Sequence, residues 1–197
     1  MTALLLLAAA VQTSSPLDPL IARMEEVVSL EADFVQRDYW ALTMEWETST
    51  GHLLIAAPNL FRLEYSDPPG RVMGFDGEQV FTVEPSTRQV VLTGEGGPSS
   101  FLTFLDLGSD ESVVLGSEAS GDTVTVTLGG ELGEGITGME VCFSSSDSLP
   151  LYLATVDANG NRSSWSLSRA SVSRTCDTGA FEMEIPAGYQ LVRPGDI

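Results

Sequence analysis

The stretch Ala57-Pro58-Asn59-Leu60-Phe61-Arg62-Leu63-Glu64-Tyr65 opens on a proline break and runs straight into a segment with two chemically different faces. Successive side chains of a strand alternate sides, so Phe61, Leu63 and Tyr65 share one face and Leu60, Arg62 and Glu64 the other. The first set suits an apolar interior, while Arg62 and Glu64 suit water. Pro58 has no N–H to give a ladder, which places it at the strand's start.

Outward from this stretch the same period of two dominates. It predicts strands near 30–48, 51–57, 60–66, 71–76, 79–84, 88–93, 112–118, 122–128, 138–145, 150–157, 162–173 and 180–185. Thr50-Gly51, Pro68-Pro69-Gly70, Asp76-Gly77, Gly121-Asp122, Gly129-Gly130 and Asn159-Gly160 supply the turns between them. Short strands at such regular spacing imply a mainly β fold, one antiparallel meander of about eleven strands, which must curl strongly or close. Before it, Ser15-Pro16-Leu17-Asp18 reads as a helix start, and Leu17, Leu20, Ile21, Met24, Val27 and Val28 recur at helical spacing with Glu25 and Glu26 on the wet side. The other interruption spans residues 94–107, where a Gly-rich run and Pro98-Ser99-Ser100 lead into a short helix carrying Phe101, Leu102, Phe104 and Leu105. Four large apolar side chains in five positions cover most of a helix's circumference, which calls for burial on several sides or a seat across an apolar opening.

A chain of 197 residues is long enough to bury a sizeable core as one domain, and the expected domain covers residues 16–197. Its net charge of −19, from 28 acidic and 9 basic residues, makes nucleic acid or an anionic membrane surface an unfavourable partner. Residues 4–11 form an apolar run too short to cross a bilayer, with small residues at 8–10, and residues 1–10 read as a secretory signal peptide without a basic leader. In an exported chain an even cysteine count favours a disulfide, here Cys142 to Cys176, contributing roughly 3–4 kcal/mol in the chain-entropy model.

Catalytic material is sparse. His52 is the only histidine, which rules out a histidine cluster for metal and leaves a hydrolytic triad dependent on this one residue beside a turn glycine. No phosphate loop, nucleophile elbow, dinucleotide fingerprint or paired-cysteine zinc motif occurs. Asp157-Ala158-Asn159-Gly160-Asn161 begins like a calcium loop, but Arg162 stands where the loop needs glycine and Ser168 where it needs glutamate, so a hairpin turn is expected. The reading is a protein that is not an enzyme and uses neither cofactor nor metal. What remains is a lining: Phe34, Leu53, Ile55, Phe61, Leu63, Tyr65, Phe81, Val83, Val124, Val126, Met139, Val141, Phe143, Trp165 and Leu167 can all face one side. Alternation is consistent with a solid core as well as with a cavity.

Pro58-Asn59-Leu60-Phe61 with its aromatic-ended strand resembles the LolA family of periplasmic outer-membrane lipoprotein carriers, and the likeness extends along nearly the whole chain. Ser29-Leu30-Glu31-Ala32-Asp33-Phe34-Val35-Gln36 is similar to the family's first strand. The Asp76-Gly77 hairpin, Phe81 and Pro85, the short helix near Phe101, the turn at Asp157 to Gly160 with Arg162-Ser163-Ser164, and the ending Phe181-Glu182-Met183-Glu184-Ile185-Pro186-Ala187-Gly188 follow in the family's order. The resemblance implies an incomplete, half-open barrel with a hydrophobic cavity under a helical lid, the lid being Phe101, Leu102, Phe104 and Leu105 with the N-terminal helix. It also implies a soluble periplasmic monomer that binds lipoprotein acyl chains, is loaded by a LolCDE-type inner-membrane transporter and delivers to an outer-membrane acceptor. One departure is Ala57, where the family often carries a basic residue thought to latch the lid. The alternatives are a LolA-like carrier of another lipid or glycolipid, and a lipoprotein-sensing interaction module.

Overall fold

The computed structural model describes residues 15–93, 112–130, 132 and 135–193. A nine-residue helix, α1 (Asp18–Glu26), precedes twelve strands: β1 (Ser29–Trp40), β2 (Glu45–Ala56), β3 (Leu60–Asp67), β4 (Val72–Phe75), β5 (Val80–Glu84), β6 (Gln89–Thr93), β7 (Ser112–Ser120), β8 (Thr123–Gly130), β9 (Ile136–Ser144), β10 (Pro150–Asp157), β11 (Arg162–Ser173) and β12 (Gln190–Val192). They form one sheet in the order β12-β6-β5-β4-β3-β2-β1-β11-β10-β9-β8-β7. Each pairing is antiparallel except that of β12 with β6. Central β1 pairs with β2 on one side and β11 on the other, so two meanders share it and the sheet stays open at β12 and β7.

The predicted 30–48 strand is two strands. Alternation carries through Trp40 without a turn signal, yet the chain reverses at 41–44, with Met44 at φ +59° donating its N–H to the Trp40 carbonyl at 2.7 Å. The predicted 180–185 strand is a short 3-10 helix, Thr178–Phe181, capped by the Asp177 side chain accepting from Gly179 N–H at 3.1 Å, and the terminal strand comes later at β12. Helix α1 also begins later than expected, with Leu17 at its N-cap; Ser15 Oγ accepts from Leu17 N–H at 3.3 Å. Val27, at its extended C-cap, and Val28 lie beyond its end. The 98–105 helix and the signal peptide fall outside the described residues.

Cross-strand partners share a face, and this sorts the sheet into two sides. On the inner side, Leu20 and Leu17 of the helical segment pack with Leu30, Phe34, Leu53, Phe61, Val126, Phe143 and their neighbours into one large cluster. On the outer side, β4–β6 carry a second, smaller cluster of Phe81, Val83, Val90 and Leu92 against Val72, Met183, Tyr189 and Leu191. The segment from the 3-10 helix to β12 therefore straps the outer side. Arg62 ties it down, donating from Nη1 to the Glu182 carbonyl at 3.2 Å while Nε meets Glu64 Oε1 at 2.7 Å. Of the two β3 residues expected in water, Glu64 is exposed, whereas the strap partly covers Arg62, whose side chain is only 17% exposed.

Candidate lipid-carrying face

The inner side is built around Phe34. Its register partner across β2 is Gly51, and β3 continues the row with Tyr65. A Cβ on Gly51 would stand 2.7 Å from Phe34 Cζ and 2.2 Å from the Glu64 carbonyl oxygen, so only glycine lets the phenylalanine ring lie flat over the strand. Phe34 then meets Tyr65 edge-on, centroids 5.3 Å apart at 81°, and Trp165 at 5.1 Å and 53°. Such aromatic pairs contribute about 0.5–1.5 kcal/mol each beyond the area they bury.

Twelve of the residues read as a lining come together in this one cluster, Phe34, Leu53, Ile55, Phe61, Leu63, Tyr65, Val126, Met139, Val141, Phe143, Trp165 and Leu167, and Val124 packs against it. The twelve pack against one another, and each is at most 9% exposed. Phe81 and Val83 do not join them. Gly74 pairs with Arg62 on β3 and with Phe81 on β5, so Phe81 shares the outer side with Arg62, and Val83 follows through Val72 and Glu64. Both β4–β6 faces are apolar, and alternation therefore names two sets without saying which is inside. The lid residues Phe101, Leu102, Phe104 and Leu105 lie outside the described residues.

At the hairpin end of the inner side the cluster gives way to a pocket of about 430 Å³, within the size range of ligand sites. Leu63, Met73, Ile136 and Trp165 form its apolar wall, and Gln36, Ser49, Tyr65, Arg71 and Thr155 its polar one. Two residues beyond Phe34 on the same face, Gln36 accepts at Oε1 from Tyr65 Oη, 3.1 Å away, and donates from Nε2 to Asp38 Oδ2 at 2.7 Å. Ser163 Oγ donates to the other Asp38 oxygen at 2.6 Å. The Arg71 guanidinium lies 4.9 Å over the Tyr65 ring. Burial pushes the Tyr65 phenol up to about 12; Arg71 pulls against that shift, and Asp38 and Glu47 add to it. Tyr65 is therefore a neutral hydrogen-bond donor throughout the physiological range. Carrying the period of two past Phe34 and Tyr65 into polar residue types is the signal that would have found this mouth.

A profile described as "Outer membrane lipoprotein carrier protein LolA" matches residues 25–184 of the chain. The chain belongs to the LolA family. Among curated relatives, it is 25% identical over 182 residues to an outer-membrane lipoprotein carrier protein of Chromohalobacter salexigens, covering 89% of this chain and 86% of that one. It is 23% identical over 175 residues to that of Yersinia enterocolitica, covering 87% and 85%. Of solved structures, an uncharacterized conserved protein from Thermus thermophilus superposes with a TM-score of 0.59 at 15% identity, over 89% of this chain and 97% of that one. The last likeness concerns the fold. As members of a periplasmic carrier family, LolA proteins transport lipoproteins and are not enzymes, and the chain takes that general role with them.

The remaining expected sites read differently. His52 lies on the outer side, half exposed, with Nδ1 3.1 Å from Asp33 Oδ1 and Nε2 3.9 Å from Glu31 Oε2. A bulge in the β1–β11 register aims Arg169, at φ +53°, onto the same Asp33. This is a surface charge cluster of the structural kind. Cys142 and Cys176 are both free thiols, which corrects the expected disulfide. Cys142 sits on β9 and Cys176 beyond β11, with β10 between those strands. Through Tyr152 the register sets Cys142 level with Ser166, whereas Cys176 follows Ser173, about seven strand residues farther on at about 3.3 Å each, well beyond the Cα separation of under about 7 Å that a disulfide spans.

Proposed function

We propose that this chain is an exported periplasmic carrier, one domain over residues 16–197 with residues 1–10 removed as a signal peptide, that takes lipoprotein acyl chains on its inner face and carries them from the inner to the outer membrane. The reading rests on family membership together with one observation: the large apolar cluster does not close at the hairpin end but opens into the pocket beside Met73 and Trp165. No bond is made or broken. Each acyl CH₂ withdrawn from water contributes about 0.8 kcal/mol, so a chain of many carbons is held firmly by apolar walls alone. The polar wall suits the acyl ester or amide end, which needs hydrogen-bond partners when it leaves water. Met24, Met73 and Met139 border the cluster or lie in it, and unbranched thioether side chains can repack as cargo enters. Loading by a LolCDE-type inner-membrane transporter and release to an outer-membrane acceptor complete the proposal.

Mixing the purified protein with a triacylated lipoprotein in detergent, removing the detergent and recording a native mass spectrum tests it. A one-to-one complex is expected. Met73→Glu puts a charge into the apolar wall at a half-buried position and should weaken that complex at least tenfold while thermal unfolding stays cooperative. Adhesion of free lipid without lipoprotein would favour a LolA-like carrier of another lipid, and capture that ignores Met73→Glu would remove the pocket from the site.

A further inference from the structure

The turn between β1 and β2 presents Trp40-Ala41-Leu42-Thr43-Met44-Glu45-Trp46. Leu42 is 95% exposed, Met44 75%, Trp46 53% and Trp40 49%. Nothing in the core accounts for them, since the strand bases below already complete the inner cluster. Four large apolar side chains concentrated in seven residues at a projecting tip form a patch of the kind that marks an interaction site.

The tip is also held firmly. Ala41 N–H donates to Asn161 Oδ1 at 2.9 Å, and Asn161 Nδ2 donates to Asp157 Oδ2 at 2.7 Å. The other Asp157 oxygen accepts from the backbone N–H of Asn159 at 2.8 Å and of Asn161 at 2.9 Å, so the whole β10–β11 turn buttresses the β1–β2 turn. Trp46 packs against the Tyr39 ring, tilted at 42° with centroids 5.0 Å apart, and lies under the Arg37 guanidinium at 4.9 Å. A preset tip loses little freedom when it docks.

We infer that this tip is a wedge that enters the surface of a zwitterionic lipid bilayer. The order of side chains matches the depth profile of a membrane interface: Leu42 and Met44 at the apex for the acyl region, Trp40 and Trp46 behind them at the headgroup level. The hollow beside the tip is open and edged by Glu45, Glu47, Asn159 and Asn161, so a partner's apolar side chain seated there would meet carboxylates, whereas a bilayer takes up the exposed apex alone. Charge selects the lipid: Glu45 and Glu47 follow the apex, Asp38 precedes it and the chain carries −19, so anionic headgroups are repelled and neutral ones are not. Trp40, Glu47 and Asn161 line both the pocket mouth and the hollow beside the tip. A seated tip therefore turns the pocket mouth toward the bilayer, which shortens the path cargo travels through water. That last consequence rests on the carrier reading; docking itself does not.

Phosphatidylcholine vesicles brominated in the acyl chains, added to the purified full chain, test the inference through tryptophan fluorescence. Trp165 lines the pocket, where a bound acyl chain would quench it, so the measurement uses the Trp165→Phe protein, in which Trp40 and Trp46, flanking the tip, are the tryptophans left to report. Quenching is expected, weakened by phosphatidylglycerol, and Leu42→Asp with Met44→Asp should raise the lipid concentration needed for it at least tenfold, Leu42→Ser alone severalfold. Lipoprotein capture in detergent, measured separately, should be unchanged by these substitutions, which keeps failure of docking distinct from failure of carriage. Absence of quenching, equal quenching in the double variant, or concentration-dependent self-association abolished by that variant without vesicle binding would each overturn the wedge.

Discussion

Phe34 over Gly51 on the inner side and Phe81 over Gly74 on the outer side are the same local device on opposite faces of one sheet. In each, a phenylalanine ring on one strand occupies the space that a neighbouring strand's glycine leaves empty. Their surroundings differ. The Phe81 cluster is covered by the chain's own C-terminal segment, pinned by Arg62 and by β12 on β6. The Phe34 cluster is covered by α1 at one end and opens into a pocket at the other. A glycine-seated aromatic row is thus a way to build an apolar sheet face; what covers that face decides whether it becomes core or binding surface.

Substituting the two glycines should separate the devices most strongly. A Cβ at Gly51 meets backbone, the Glu64 carbonyl, at 2.2 Å, whereas at Gly74 the nearest atoms are the Phe81 ring at 2.6 Å and the Phe61 carbonyl at 3.1 Å. Backbone in the middle of a sheet cannot move aside as a ring can. Gly51→Ala is therefore expected to destabilise by about 4 kcal/mol and Gly74→Ala by about 1–3 kcal/mol in urea denaturation. Equal costs would show that the two seats are equivalent.

Alkaline pH should act on the inner face through Tyr65. Tyr65 ionises near 12 in the folded protein and near 10.0 when free, so folding favours its neutral form. The associated stability is fully present below about pH 10 and is lost as pH rises toward 12, a total of roughly 2–3 kcal/mol. Tyr65→Phe should flatten that part of the stability-against-pH curve; an unchanged slope would place the titration elsewhere.

The smallest effect is expected at the strap. Arg62→Ala removes the hydrogen bond to the Glu182 carbonyl and the partner of Glu64, and should cost about 0.5–1.5 kcal/mol. Hydrogen exchange at Leu191 and Val192 should quicken while that of β1 and β2 amides stays as it was. Faster exchange in both regions would mean that the two clusters open as one unit.

Much of this was readable in the order of residues. The period of two identified Phe61, Leu63 and Tyr65 as one face of β3, and the turn signals Asp76-Gly77 and Asn159-Gly160 fall where the chain reverses. The turn at 41–44 was hidden because Ala41, Leu42, Thr43 and Met44 are not turn formers; the reversal depends on Asn161, 120 residues away, holding Ala41. The strand expected at 180–185 was an overreading of alternation in a segment whose place is set by the outer cluster it covers. Polar Gln36 and Ser49, register partners at the pocket mouth, interrupt the apolar pattern that their neighbours carry, so alternation alone does not single them out.

The sequence by itself determined which side chains within a strand point the same way, because the pleat repeats every two residues whatever surrounds it, and its ordered motifs sufficed to place the chain in its family. Only the tertiary structure decided that Phe81 and Val83 belong to the strapped side, that the two cysteines stand apart, and that the tip of the first hairpin projects its apolar residues into solvent. Each of those depends on register and packing between segments distant in the chain, and a one-residue difference in register changes the face without changing the alternation.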